Sequence, residues 1–161
     1  MNPGAGQRGP SLQDTYAPNG ICFGCGPANP KGLRIKSYRE GEWLVADWHP
    51  EEHHQAFPGM LNGGIIGSLL DCQSNWAAAL HLKDKNGWEE IHATVTADYH
   101  VELLAPTPAG ERVEVRARVV DASERRATVE AELRSGTAVT ARCRGNFVAV
   151  KPGHPAFHRW G

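Results

Sequence analysis

The sequence predicts an α+β domain in which one long central helix is wrapped by a curved antiparallel β-sheet. Three observations carry this expectation. Residues 63–81 hold apolar side chains at helical spacing and are too apolar to lie on a surface. Four later segments alternate apolar and polar residues with period two, as strands buried on one face do. Turn signals, "APTPAGE", "DASER" and "SGT", separate those segments. Loops cannot cover a single apolar helix, so a sheet curled around it is the economical solution.

The chain has 161 residues, which is one domain by default and long enough to bury a core without staples. A net charge of −1, with both signs spread along the chain, argues against a nucleic-acid or anionic-membrane partner. No apolar run reaches the roughly 20 residues of a spanning helix. The first 20 residues lack the apolar core of a signal peptide, so a cytoplasmic protein with free thiols at Cys22, Cys25, Cys72 and Cys143 is expected.

In chain order, residues 1–20 read as a flexible, Gly- and Pro-rich arm, 21–150 as the folded domain and 151–161 as an irregular tail. Within the domain, 21–32 form a turn-rich knot. Short strands follow at 33–38 and 43–49, joined by a turn at Glu40-Gly41. "HPEEHHQAFPG" is a loop. The helix spans 63–81, and "KDKNGW" is its exit turn, where Lys83 and Lys85 suit the negative end of the dipole. The strand faces are Val95, Ala97, Tyr99, Val101 and Leu103; Val113, Val115, Ala117 and Val119; Ala127, Val129, Ala131 and Leu133; then Val139, Ala141, Cys143, Phe147 and Ala149.

The helix has two unlike sides. Ile65, Ile66, Leu69, Leu70, Gln73, Trp76, Ala77 and Leu80 make one, apolar except for Gln73. Gly64, Gly67, Ser68, Asp71, Ser74, Asn75 and Ala78 make the other, all small or polar. A carboxylate losing hydration there needs hydrogen bonds, and Ser68 and Asn75 stand at i−3 and i+4 as donors. The stripe faces either solvent or something that comes close, a ligand or a second chain. Solvent stripes normally carry Lys and Glu, which this one lacks.

Asn62 suits the N-cap, and the next N–H groups, at Gly63 and Gly64, have no intrahelical partner. They are either the plain start of a capped helix or donors to an anion or polarised carbonyl oxygen. An acid plus an oxyanion-type site points to acyl chemistry. Eight residues separate Gly63 from Asp71, about 12 Å along a helix. One carbonyl cannot touch both in one chain, so a site using both combines two chains.

"CFGC" is one C-x-x-C pair, and a zinc site needs four ligands, so no metal is expected. His53 reads as an exposed loop residue, while His54 is placed to line the approach to the helix start. There is no nucleophile elbow, phosphate loop or dinucleotide fingerprint, and no cofactor is expected.

The stretches "CFGCGPANPKGLRI", "HQAFPGMLNGGIIGSLLD" and "TADYHVELLAPTPAGE" together resemble the hotdog-fold acyl-CoA thioesterases of the PaaI-like branch, from about Ile21 to Val150. The resemblance implies a helix wrapped by an antiparallel sheet, an acyl-CoA substrate, and homodimers or homotetramers with sites at the subunit interface. In that family a His-Gly-Gly segment opens the helix, and an Asp nine residues after the His acts as base or nucleophile. The matching positions are Asn62, Gly63, Gly64 and Asp71, so Asn62 departs from the pattern and cannot titrate near neutrality. The N–H of Gly63 would polarise the thioester carbonyl, and Thr96, counted back from Pro106, would assist the water. Trp76, Phe57 and Tyr99 are candidates to shape an acyl pocket; Arg116, Arg142 and Arg144 are candidates to meet phosphates. Three rivals stand beside thioester hydrolysis: a non-catalytic acyl-CoA-binding module, a dehydratase or hydratase, and a structural assembly protein.

Overall fold

The computed structural model describes residues 8–161. Its elements in order are α1 (Leu12–Tyr16), β1 (Ser37–Glu40), β2 (Trp43–Trp48), a 3-10 turn (Glu52–His54), β3 (Gln55–Phe57), β4 (Met60–Leu61), α2 (Gly63–Asn86), β5 (Thr94–Leu103), β6 (Val113–Ala122), β7 (Arg126–Ser135) and β8 (Ala138–Ala149). Six strands form one antiparallel sheet in the order β1-β2-β6-β7-β8-β5. The helix α2 lies in its concave face, as the apolar period predicts. No helix among the described residues is long and apolar enough to cross a membrane.

The core follows from the two periods meeting. Val113, Val115, Ala117, Ala127, Val129, Leu133, Ala141 and Phe147 face inward, all fully buried, against Leu69, Leu70 and Trp76 of α2. The helix runs five residues beyond the expected 81. The "KDKN" segment is its last turn, and the chain leaves only at Gly87, whose left-handed φ of 65° ends the helix with its N–H on Lys83 and Asp84 carbonyls. Ser74, Asn75 and Ala78 of the small, polar stripe are also buried, so the middle of α2 is enclosed nearly all round.

Three expectations are corrected. Of the arm over 1–20, residues 1–7 lie outside the described residues, but from Ser11 onward the chain is folded. Ser11 caps α1 by accepting from the Asp14 N–H, and Gln13 is fully buried. Gln13 donates to Ser37 Oγ at 2.8 Å and accepts from the Ser37 N–H; Ser37 Oγ donates to Gln73 Oε1 at 2.6 Å. This buried polar relay ties α1 and β1 to the central helix. The strand expected at 33–38 begins only at Ser37, because Leu33 and Ile35 give their N–H groups to Phe23 and Gly24 of the preceding knot rather than to the sheet.

The third correction concerns β5. Its pairing with β8 shifts between Thr96 and Asp98, so Ala97 is an extra residue, a β-bulge. Thr94 pairs with Ala149 and Thr96 with Phe147, both inward-facing; after the bulge Tyr99, Val101 and Leu103 pair with Gly145, Cys143 and Ala141. The inward set is therefore Thr94, Thr96, Tyr99, Val101 and Leu103, not the unbroken alternation from Val95. A shift at Thr140 likewise takes Val139 off the face of Ala141. Gly145 lets the strands approach at the β5 bulge, since a Cβ there would sit 2.7 Å from the Asp98 carbonyl oxygen.

Candidate active site

Asp71 lies midway along α2, half-buried beneath β5. Thr96 Oγ1 donates to its Oδ1 at 2.6 Å, and Asn75 Nδ2 donates to the same oxygen at 3.2 Å. Asn75 Nδ2 also donates to Thr96 Oγ1 at 2.9 Å, which closes a triangle of three side chains. The amide of Asn75 is itself oriented: Thr94 Oγ1 donates to its Oδ1 at 2.8 Å. Thr94, fully buried, had no place in the expected site. Its signal was the "TVT" spacing, which puts two hydroxyls on one strand face.

The network occupies Oδ1 and leaves Oδ2 of Asp71 without a protein partner among the described residues. Burial pushes the Asp71 carboxyl above the usual carboxylate range, against the opposing hydrogen bonds from Thr96 and Asn75 and the charge of Arg159. Arg159 comes from the tail, which is anchored where Trp160 stacks on Trp76 at 3.9 Å between centroids. Of the two donors expected for Asp71, Asn75 serves and Ser68 does not. Ser68 Oγ donates back to the Gly64 carbonyl at 3.0 Å, a local bond a helical serine readily makes.

At the other end of this segment, Asn62 is the N-cap, its Oδ1 accepting from the Ile65 N–H at 3.1 Å. Its own N–H donates to the His54 carbonyl at 2.9 Å, which fixes how the chain enters the helix. The N–H groups of Gly63 and Gly64 precede the capped one and have no acceptor within the helix. Gly63 lines an apolar cleft of about 360 Å³ together with Phe57, Met60, Ile66, Leu103 and Thr107. Phe57 and Leu103 are 59% and 58% exposed there.

His54 is buried, its ring against Trp48, and its Nδ1 accepts from the Glu51 N–H at 2.9 Å. Burial, then the charge of His53, holds it below the usual imidazole range. It shapes the helix start through its carbonyl rather than by offering its ring. Trp76 belongs to the core, whereas Tyr99 is exposed on the Asp71 side of β5. Arg116 sits over the Trp43 ring at 4.7 Å, and Arg144 pairs with Glu130; both are engaged on the outer face of the sheet.

A second cluster adjoins Asp71. The sulfurs of Cys22, Cys25 and Cys72 all lie within 4.8 Å of one another. The sequence shows the first two as a pair but hides the third, which stands 47 residues after Cys25 and reaches the pair only through the crossing of the knot over α2. The contacts among the three sulfurs hold Cys22 below the usual thiol range and, with burial, hold its neighbours above it, Cys25 up to about 11.

The fold defines a class. The family model of the thioesterase superfamily matches residues 58–142, more than half of the chain, and the chain belongs to that superfamily. A thioesterase superfamily protein from Shewanella loihica PV-4 is 30% identical, with a TM-score of 0.68 over 87% of this chain and 100% of that one. The E. coli PaaI protein from the phenylacetic acid degradation operon is 17% identical, with a TM-score of 0.62 over 74% of this chain and 81% of that one. A Haemophilus influenzae thioesterase is 19% identical, with a TM-score of 0.63 over 76% of this chain and 84% of that one. The last two likenesses are of fold: the helix wrapped by a six-stranded antiparallel sheet is the hotdog arrangement. No curated protein matches the sequence.

Proposed function

We propose that the protein is a cytosolic acyl-CoA thioesterase whose active site is completed by a second copy of the chain. The observation that carries this reading is Asp71: a half-buried carboxylate with one oxygen fixed by Thr96 and Asn75 and the other free for water. Asp71 Oδ2 takes a proton from water, and the water oxygen attacks the thioester carbonyl carbon. The oxyanion that forms lies at the Gly63 N–H. The C–S bond then breaks, the CoA thiolate leaves, and it takes the proton from Asp71. Direct attack by the carboxylate would instead form a mixed anhydride, and ¹⁸O from water would enter Asp71 when that anhydride is hydrolysed at the Asp71 carbonyl. Thr96, whose hydroxyl proton is committed to Asp71, orients the carboxylate and meets the water through it.

Two features support a site shared between subunits. Gly63 and Asp71 stand about 12 Å apart along the helix. β5 ends the sheet as a ten-residue edge strand with Tyr99 and Leu103 exposed, and such an edge pairs readily with a second chain. A homodimer, or a dimer of dimers, brings Asp71 of one copy toward Gly63 of the other. The acyl group lies in the cleft at Phe57, Met60 and Leu103, with Gly64 leaving room for its approach.

Asn62 favours a second reading, a non-catalytic acyl-CoA-binding protein. Its side-chain oxygen is spent on the cap, so the helix start offers no group that titrates near neutrality. Thiol release from short, medium, long and aryl CoA thioesters separates the two. Hydrolysis lost in Asp71→Ala supports the enzyme. Saturable binding without thiol release supports the binder, and hydrolysis unchanged in Asp71→Ala removes Asp71 from the chemistry.

A further inference from the structure

The knot at 21–26 is built around its sulfurs. Cys22 Sγ and Cys72 Sγ are 3.8 Å apart, and Cys25 Sγ completes a triangle with every side within 4.8 Å. Zinc–sulfur bonds of ~2.3 Å in a tetrahedron place two sulfurs roughly 3.8 Å apart. The Gly26 N–H donates to the Cys22 carbonyl at 2.8 Å, which closes a turn around the C-x-x-C pair. The Trp76 indole N–H beside the cluster is fully buried and has no hydrogen-bond partner among the described residues. A Cβ on Gly24 would collide with Cys72 Sγ, so only glycine lets the knot cross the helix this closely.

Plain core packing explains none of this. Three sulfurs brought together from two distant segments at the edge length of a metal tetrahedron form a ready ligand set, and a cation that binds there takes the place of the thiol protons. We propose that Cys22, Cys25 and Cys72 bind a thiophilic divalent cation, zinc foremost, which clamps the N-terminal knot to the central helix beside Asp71. A three-sulfur set selects zinc over magnesium or calcium. Three protein ligands leave a fourth position, which opens on the half-buried Cys22 side and is filled by water or a small anion. Zinc displaces the thiol protons on binding, so loading releases acid.

The test uses the full chain, reduced and stripped of metal, with Co²⁺ and then Zn²⁺ as probes. The expected result is one equivalent of Co²⁺ with an intense thiolate-to-cobalt absorption band, displaced by one equivalent of Zn²⁺ with proton release. Cys25→Ser and Cys72→Ser each weaken Zn²⁺ binding by at least about 100-fold, the upper end of what losing an outer-shell partner costs. Cys22→Ser, at the most accessible of the three, does the same with the far-ultraviolet spectrum of the folded chain unchanged. Cys143→Ser, a buried strand residue outside the cluster, binds as wild type. The proposal is overturned if Co²⁺ gives no such band, if Cys22→Ser binds Zn²⁺ as wild type does, or if Cys22 and Cys72 form a disulfide under saturating Zn²⁺.

Discussion

The two ends of the Asn62–Asn75 segment are prepared differently for chemistry. Around Asp71 the structure is closed: Thr96, Asn75 and Thr94 hold one carboxylate oxygen in a chain of bonds that the buried helix and β5 leave no freedom to rearrange. Around Gly63 it is open: exposed Phe57 and Leu103, an apolar cleft, and N–H groups with no acceptor in the helix. A buried charge must be satisfied before substrate arrives, because an unpaired one costs several kcal/mol. A donor meant for a carbonyl must stay unsatisfied until then. One helix provides both because its middle is enclosed while its first turn lies at the rim of the sheet.

The sharpest way to break this contrast is Asp71→Asn. Under the proposed mechanism it lowers kcat/KM for thioester hydrolysis by ~10²–10⁴-fold, measured by thiol release on the preferred acyl-CoA. Next is Asn75→Ala, which strips donors from Asp71 and Thr96 and leaves the Thr94 hydroxyl only the backbone carbonyl of residue 75. A destabilisation of about 1–3 kcal/mol is expected from chemical denaturation, with kcat falling more than KM rises. Asn62→Ala acts on the open end. Losing the cap costs about 1 kcal/mol, while the carboxylate network stays intact, so its stability loss should add to that of Asn75→Ala. An excess over the sum would mean that the two ends are coupled.

The smallest effect expected is a pH dependence at His54. Its folded pKa lies below the ordinary value, so the unfolded chain takes up the proton first. Its contribution to stability is thus present above about pH 6.5 and lost as pH falls below it. Thermal melts between pH 7.5 and 5 should decline less in His54→Gln than in wild type. His92 is shifted the same way but is common to both proteins, so it cancels in the difference. Equal declines would remove His54 from the account.

What could be read in advance follows the range of the forces. The helix, its cap at Asn62 and the lone acid at Asp71 were legible because a period of 3.6 and a capping residue are local signals. The faces of β6 and β7, and of β8 from Ala141 onward, were legible for the same reason. The burial of Ser74, Asn75 and Ala78 was not, since a stripe of small residues looks alike facing water or a tightly fitted strand. Helix α1 carried a readable sign, Ser11 with Asp14 three residues on, inside a stretch whose Gly and Pro content masked it. The third sulfur at Cys72 depends on how two segments cross, and no local pattern encodes a crossing.

The bulge at Ala97 has a consequence for how this chain can change. Upstream and downstream of it, β5 is read in two different frames, with even-numbered residues inward before it and odd-numbered residues inward after it. Replacing Ala97 alters one exposed side chain. Deleting it leaves every residue type in place and forces one half of the strand to turn over. Either Thr94 and Thr96 leave Asp71, or Tyr99, Val101 and Leu103 leave the concave face. Lineages of this chain can therefore drift freely in composition at position 97 while remaining fixed in length there.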